Sequence, residues 1–230
     1  MSLRLDVFTL VPDAFAWMRE RRPMAGVLES ELDFRVFNYR DTTPLTARQV
    51  DDDPYGGGRG MVLRVDVVAA ALDAVYGGAP ESRVIALSPQ GRQLDQDLVE
   101  ELAAEPALTV LSARFEGFDQ RILDNFATDV VSIGPYVLSG GEIPAMALVD
   151  AVVRRLPGAL SEGSGELESF SAALDGGLEY PQYTRPAEFR GWSVPEILLS
   201  GDHGRIEAWR RERVRSPETE RRDDQTMSRA

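Results

Sequence analysis

Short apolar runs and helix-length stretches take turns along residues 3–158, and that alternation leaves few folds open to the chain. Residues 3–12 (LRLDVFTLVP) read as a first buried strand closed by proline. Asp13 is placed to cap a short helix through Phe15 and Met18. A second strand is predicted over 32–39, where apolar and polar residues alternate. Helices follow over 65–76, 94–104, 119–125 and 142–156, and strands over 83–87, 108–112 and 130–133. Strands joined through helices of this length need crossover connections, so the sheet is expected to be parallel and the class α/β. Residues 40–60 break the rhythm and are expected to form one long loop, the kind that is usually functional or disordered. The α/β domain is therefore drawn over 1–158. The small, acidic, glycine-containing stretch 159–175 reads as an interdomain linker. Residues 176–230 read as a small, mainly helical C-terminal domain. It has an arginine-rich helix from 204 to about 215 and a charged tail expected to fray.

Composition narrows the chemistry. Among 230 residues there is no cysteine and a single histidine, His203, which removes disulfides, thiolate metal sites, a cysteine nucleophile and a histidine-rich metal centre. No metal is expected. No uncharged run approaches the ~20 residues of a membrane span. Asp6 and Asp13 interrupt the N-terminal apolar run, unlike a secretory signal, so a cytoplasmic protein without a membrane partner is expected. All 25 basic residues are arginine, against 38 acidic ones, for a net charge of -13. That charge repels nucleic acid weakly at long range. It leaves a local basic site open, because screening cuts a charge's reach to about 8–10 Å.

In parallel α/β sheets, ligands bind beyond the carboxyl ends of the strands. Three segments should lie there: Ser88-Pro89-Gln90-Gly91-Arg92, Ser112-Ala113-Arg114-Phe115-Glu116-Gly117, and the stretch from Ser132 to Glu142. Any one of them would pass for an ordinary turn. The third, with eleven small and mostly apolar residues, is longer than a turn needs. No G-x-G-x-x-G follows a strand, and a chain without lysine has no Walker loop.

The motifs occur in a telling order: Asp52-Asp53-Pro54-Tyr55-Gly56-Gly57-Gly58, Leu87-Ser88-Pro89-Gln90-Gly91-Arg92, Glu116-Gly117, Ser132-Ile133-Gly134, Tyr136-Val137-Leu138-Ser139-Gly140-Gly141-Glu142, Tyr183-Thr184-Arg185-Pro186 and Leu198-Leu199-Ser200-Gly201-Asp202-His203. In this the chain resembles the bacterial tRNA (guanine-N1)-methyltransferase family (TrmD, of the SPOUT class) from residue 3 to about 213. The resemblance implies an S-adenosylmethionine-dependent enzyme with a deep trefoil knot, acting as a homodimer on the guanine 3′ of the tRNA anticodon. It implies cofactor contacts from Pro89, Gly91, Glu116 and Gly117, then from Ile133, Gly134, Tyr136 and Leu138, and finally from Gly140, Gly141 and Pro144. It suggests Tyr55, Gly57, Gly58, Asp202 and His203 for the substrate.

The chemistry has its own logic. Guanine N1 carries a proton and is a poor nucleophile until a positioned carboxylate removes it. The charge then spreads to O6, where a guanidinium can stabilise it. By resemblance the guanidinium is Arg154, whose plainer role would be a cation at a helix C-terminus. The carboxylate falls on Glu168, where the family carries aspartate, with Glu166 as a neighbouring rival. Pro135 also replaces a family aspartate, and the C-terminal family motif is broken around 215–223. Three readings therefore stand at the level of sequence: methylation of tRNA guanine, methylation of a nitrogen in a peptide or small heteroaromatic molecule, and a cofactor- or RNA-binding relic without turnover.

Overall fold

The computed structural model of the chain describes residues 2–28, 30–165 and 167–216. It divides into two compact units at Leu160/Ser161.

The first unit is built on a five-stranded sheet. Its elements run β1 (Leu3–Thr9), α1 (Ala16–Glu20), β2 (Leu32–Asn38), α2 (Tyr39–Thr42), β3 (Asp51–Asp52), β4 (Val62–Leu63), α3 (Val65–Tyr76), β5 (Arg83–Gln93), α4 (Gln96–Ala103), β6 (Ala107–Leu111), α5 (Gln120–Asn125), β7 (Asp129–Ser132) and α6 (Glu142–Val153). The strand order is β2-β1-β6-β5-β7, and every pairing in that sheet is parallel. Alternate side chains leave opposite faces of a strand, so the sheet builds two cores. Leu3, Leu5 and Val7 of β1 pack with Leu98 and Leu102 of α4 and Leu148, Val149 and Val152 of α6. Phe8, Val84, Ala86 and Leu111 pack with Val67, Val68, Ala71 and Leu72 of α3 and Ile122 of α5. Each fully buried leucine or valine contributes about 1.5–3 kcal/mol of transfer free energy.

Polar residues set the helix ends. Asp95 accepts a hydrogen bond from Leu98 N at 2.9 Å and caps α4. Asp119 accepts from Arg121 N at 2.9 Å and caps α5. α3 stops at Gly77, whose φ of 73° and N–H bond to Asp73 O suit a residue without a Cβ.

One polar rung crosses this apolar architecture. Asp6, fully buried in β1, accepts two bonds from Arg35 of β2 at 2.6 and 2.7 Å and one from the Tyr76 hydroxyl at 2.6 Å. Tyr76 lies 2.7 Å from Thr109 of β6, which in turn lies 2.6 Å from Ser82. Burial and the Asp6 carboxylate both push the Tyr76 phenol above its ordinary range.

Several elements differ from the sequence expectation. Asp13 caps nothing: Pro12 opens a 3-10 turn over Pro12–Phe15, and Asp13 lies inside it. The 40–60 stretch is not one irregular loop, because α2, a 3-10 turn and β3 occupy it, and β3 pairs antiparallel with β4. The glycine-rich segment is thus the connection of a small ribbon. The strand begun at Arg83 runs on to Gln93 instead of ending at Leu87, with a register break in which Leu87 and Arg92 both lie opposite Val131. The long helix α6 ends at Val153, and residues 154–156 form a turn.

The second unit contains a hairpin, β8 (Glu188–Phe189) with β9 (Trp192–Ser193), and two helices, α7 (Glu196–Leu199) and α8 (His203–Arg211). α8 stops short of the expected 215, because Arg215 leaves the helical path to pair with Leu178. The tail 217–230 and Glu166 lie outside the described residues. Among the described residues no helix is long and apolar enough to cross a membrane.

Candidate active site

The carboxyl ends of β5, β6 and β7 meet at a pocket in the first unit. The β5 bulge supplies Ser88 and Pro89. The segment after β6 supplies Ala113 to Gly117, and the one after β7 supplies Ile133, Gly134, Tyr136 and Leu138. Gly140, Gly141 and Pro144, at the start of α6, close it. Ten of the eleven residues singled out for the cofactor therefore share one pocket wall. Gly91 does not line it. A Cβ there would stand 2.4 Å from the Val130 carbonyl carbon and oxygen, so this glycine lets β5 pass close to β7.

The glycines at the pocket are short of space for a definite reason. A Cβ on Gly141 would lie 2.7 Å from Ser112 Oγ and 2.9 Å from Ala113 N, and Gly141 N donates to Ala113 O at 2.7 Å. A Cβ on Gly140 would meet Glu142 Oε2 at 2.5 Å and Arg114 Cδ at 2.7 Å. Gly134 lies under the Tyr136 ring, and the Tyr136 hydroxyl donates back to Ile133 O at 3.1 Å. The Ser132 hydroxyl ties Gly134 through both its N–H and its carbonyl. The walls are thus exposed main chain and apolar carbon, with Arg114 and Glu116 as the charged side chains.

Beneath this pocket lies a buried polar group in which Thr9 and Tyr39 join residues of the quoted segments. The Thr9 hydroxyl donates to Glu142 Oε1 at 3.0 Å, and Arg114 Nη1 stands 3.5 Å from Glu142 Oε2. Ser112 Oγ is buried without a hydrogen-bond partner among the described residues, and the Tyr39 hydroxyl is buried beside the Ser112 main chain. Burial pushes the Tyr39 phenol well above its ordinary range, and the Glu142 charge adds to this. The sequence signal for Arg114 was its place two residues before Glu116. Glu142 closed the motif that begins at Tyr136, and for Thr9 there was no signal, since only the fold brings the end of β1 to the start of α6.

The glycine-rich ribbon approaches the same motif. Glu116 N donates to Met61 O at 2.9 Å, and Gly60 gives room to the Glu116 side chain, whose Oε1 would lie 2.3 Å from a Cβ there. Tyr55 stands fully exposed at the ribbon's end, and Gly57 and Gly58 take positive φ angles of 77° and 147°. Tyr55 borders a separate, charged groove with Arg64, Asp66, Asp119 and Arg121. There the Arg64 guanidinium, hydrogen-bonded to Asp66, holds that carboxyl below its ordinary value, and Arg121 does the same to Asp119.

Arg154 closes α6, its N–H bonded to Asp150 O at 3.0 Å, with a partly buried side chain. Glu168 belongs to the second unit, where its carbonyl accepts from Ser171 N at 3.1 Å and the next residue, Ser169, accepts from Glu179 N at 2.9 Å. The turn that starts at Glu168 is therefore fastened at its first two residues. Asp202 caps α8 by accepting from Arg205 N at 3.1 Å. His203 lines a groove with Tyr183, Trp209 and Arg210.

Comparison with known proteins places the whole chain in one family. The family model described as tRNA (Guanine-1)-methyltransferase TrmD matches residues 3–228. A tRNA (guanine-N(1)-)-methyltransferase of Nitrobacter winogradskyi is 48% identical over 232 aligned positions, covering 100% of this chain and 95% of its own. One from Rhodopseudomonas palustris strain TIE-1 is 51% identical, covering 91% and 84%, and one from Brevibacillus brevis is 46% identical, covering 96% and 90%. With a match this long and relatives this similar, the chain belongs to the tRNA (guanine-1)-methyltransferase family, TrmD.

Proposed function

We propose that this protein transfers a methyl group from S-adenosylmethionine to N1 of the guanine 3′ of the tRNA anticodon. The observation that carries the reading is the pocket at the β5 bulge and the ends of β6 and β7, which gathers four of the seven motif segments into one wall. Its character fits the cofactor. Gly140 and Gly141 form a cradle that a Cβ would fill, apolar carbon from Leu87, Ile133, Leu138 and Pro144 suits a purine, and Arg114 and Glu116 offer opposite charges to an amino-acid end. When bound, the cofactor supplies a methyl group activated by a sulfonium.

The chain's own residues do the rest. Glu168 takes the N1 proton, and the Arg154 guanidinium stabilises the charge that appears at O6. Tyr55, Gly57 and Gly58 of the ribbon, and Asp202 and His203 at the start of α8, face the RNA. The arginines of α8 supply phosphate contacts, the usual source of affinity for nucleic acid. Asp202 keeps its capping bond in this role and contributes through the main chain it fixes. The reading includes a trefoil knot formed by the segments after β6 and β7. It also includes a linker over 159–175 leading to a small, mainly helical C-terminal domain, and two copies of the chain acting together in the cytoplasm. Family membership supports all of these.

The test uses purified protein, methyl-labelled cofactor and two unmodified tRNA transcripts, one with guanine and one with adenine 3′ of the anticodon. Label is expected on the first alone. Cofactor binding without label on either, or label in a peptide or small-molecule fraction instead, would overturn the substrate. Glu168→Gln should lower turnover by the ~10²–10⁴-fold that a lost general base costs, with cofactor affinity unchanged. Glu168→Asp should keep or raise it. If neither variant changes turnover, Glu168 is not the base.

A further inference from the structure

The glycine-rich segment that carries Tyr55 has little to lean on. Tyr55 is fully exposed, and a Cβ on Gly56 or Gly57 would meet no atom within 4 Å. Gly56, Gly57, Gly58 and Gly60 all take positive φ angles. Glycines lose more freedom on ordering than any other residue, so such a segment is costly to hold in one place. Its position has to come from its two ends.

Main chain holds the downstream end. Glu116 N donates to Met61 O at 2.9 Å, Leu63 N to Gly117 O at 3.0 Å and Asp119 N to Leu63 O at 3.1 Å. β4 is thereby fixed beside the segment that follows β6. The upstream end has less main chain to rely on. β3 is two residues long and pairs with β4 at Asp51 and Asp52, with Arg64 N donating to Val50 O just before it. A two-stranded ribbon this short is marginal.

A side chain makes up the difference. Arg64 stands between β4 and α3 and grips a carboxylate on either side. Its Nε and Nη2 donate to the two oxygens of Asp66 at 3.0 and 2.8 Å, and its Nη1 donates to Asp52 Oδ2 at 2.6 Å. The paired bonds to Asp66 fix the plane of the guanidinium, so the third bond has one direction only. The other oxygen of Asp52 accepts from Asp53 N at 3.0 Å. The carboxylate that Arg64 holds therefore sets the course on which the chain leaves β3. With side chains 32% and 51% exposed, the Arg64–Asp52 pair adds little to the stability of the whole fold. Its effect falls on the segment it precedes.

We infer that Arg64 is a positioning residue for the RNA substrate, fixing through Asp52 the point from which the glycine-rich segment departs. This rests on the reading that Tyr55, Gly57 and Gly58 face the RNA. A segment held in place beforehand pays less to become ordered when the substrate arrives.

Steady-state methylation of an unmodified tRNA transcript with guanine 3′ of the anticodon tests this, with calorimetry on the cofactor and thermal denaturation alongside. Arg64→Met is expected to raise KM for tRNA about three- to fivefold, the size of one partly exposed ion pair. It should leave kcat, cofactor affinity and the thermal midpoint nearly unchanged, as the loss of uniform binding does. Arg64→Lys should recover part of the loss. Asp52→Asn keeps an oxygen for Asp53 N and loses the charge, so it should raise KM too. The double variant should be no worse than Arg64→Met, because both changes break one link. A direct phosphate contact by Arg64 predicts the opposite for Asp52→Asn: removal of a competing carboxylate would lower KM, and that result overturns the inference. An unchanged KM in Arg64→Met, or a loss confined to the thermal midpoint, overturns it as well while the substrate reading stands. If the wild type binds the cofactor and leaves the tRNA unmethylated, the substrate reading fails, and the inference with it.

Discussion

Gly140 and Gly141 are neighbours with different reasons for lacking a side chain. The atoms that a Cβ on Gly141 would strike include the Ala113 main chain at 2.9 Å, which cannot move aside without dragging the end of β6. The atoms facing Gly140 belong to two long side chains: Arg114, which is partly exposed and can shift, and Glu142, which is buried on the Thr9 hydroxyl. Gly141→Ala should therefore destabilise the protein by about 1–3 kcal/mol, as overpacking does, and lower the thermal midpoint. Gly140→Ala should lower the midpoint less than Gly141→Ala does, because only side chains and not main chain must shift, yet weaken cofactor binding by disturbing the pocket wall. Thermal denaturation and calorimetry on the two variants check the contrast. Equal loss of stability in both would show that the side chains at Gly140 are as fixed as the main chain at Gly141.

Strands β5 and β7 divide their labour along their length. At the amino ends Arg83 of β5 holds Asp129 of β7 with bonds of 2.8 and 2.9 Å, and Glu101 and Glu105 stand nearby. The Arg83 hydrogen bonds hold the Asp129 carboxyl below its ordinary value, with Thr128 adding to the effect. A depressed folded-state value means that this stabilisation is present above the unfolded carboxylate value near 4, and is lost as pH falls through the lower folded one. Asp129→Asn should thus cost stability in urea at pH 7, and the difference from wild type should shrink below about pH 4. A cost that stays constant with pH would mean the charge is irrelevant to the pairing. At the carboxyl ends the same two strands open into the bulge and the pocket. How far these elements could be read from the sequence follows from locality. α3 over 65–76 was legible to the residue, because amphipathic spacing and a terminal glycine are local signals. The continuation of β5 to Gln93 was not, because Ser88-Pro89-Gln90-Gly91 has the residues of a turn and only the distant β7 ladder makes it strand. The contact of Arg114 with Glu142 was hidden for the same reason. The ten pocket residues came from motif order and not from periodicity, and the close packing of Gly91 against β7 had no local signal.

For the whole molecule, the apolar surface beside the pocket sets the expected assembly. Tyr136 is 52% exposed, Val137 87% and Ile143 55%, all within a short stretch of chain. Exposed apolar side chains grouped this closely in the chain suit an interface, and the proposed homodimer would cover them. Light scattering at micromolar concentration should give twice the mass of one chain, and Val137→Asp with Ile143→Arg should give monomers that remain folded. A monomer in the wild type would overturn the dimer. The rung through Asp6 has another kind of consequence, for the route by which the chain reaches this fold. Its direct partners, Arg35 of β2 and Tyr76 of α3, lie far along the chain from Asp6, so β1 cannot settle its charge until both segments have arrived. A parallel sheet that slips by one position strands that carboxylate in hydrocarbon, and the mistake is reversed before it can deepen. Proofreading of this sort trades speed for fidelity. Asp6→Asn, which removes the charge and keeps the shape, should tolerate slipped partners, and refolding from urea should then lose its single-exponential course and leave a fraction of chains in slowly escaping misregistered states.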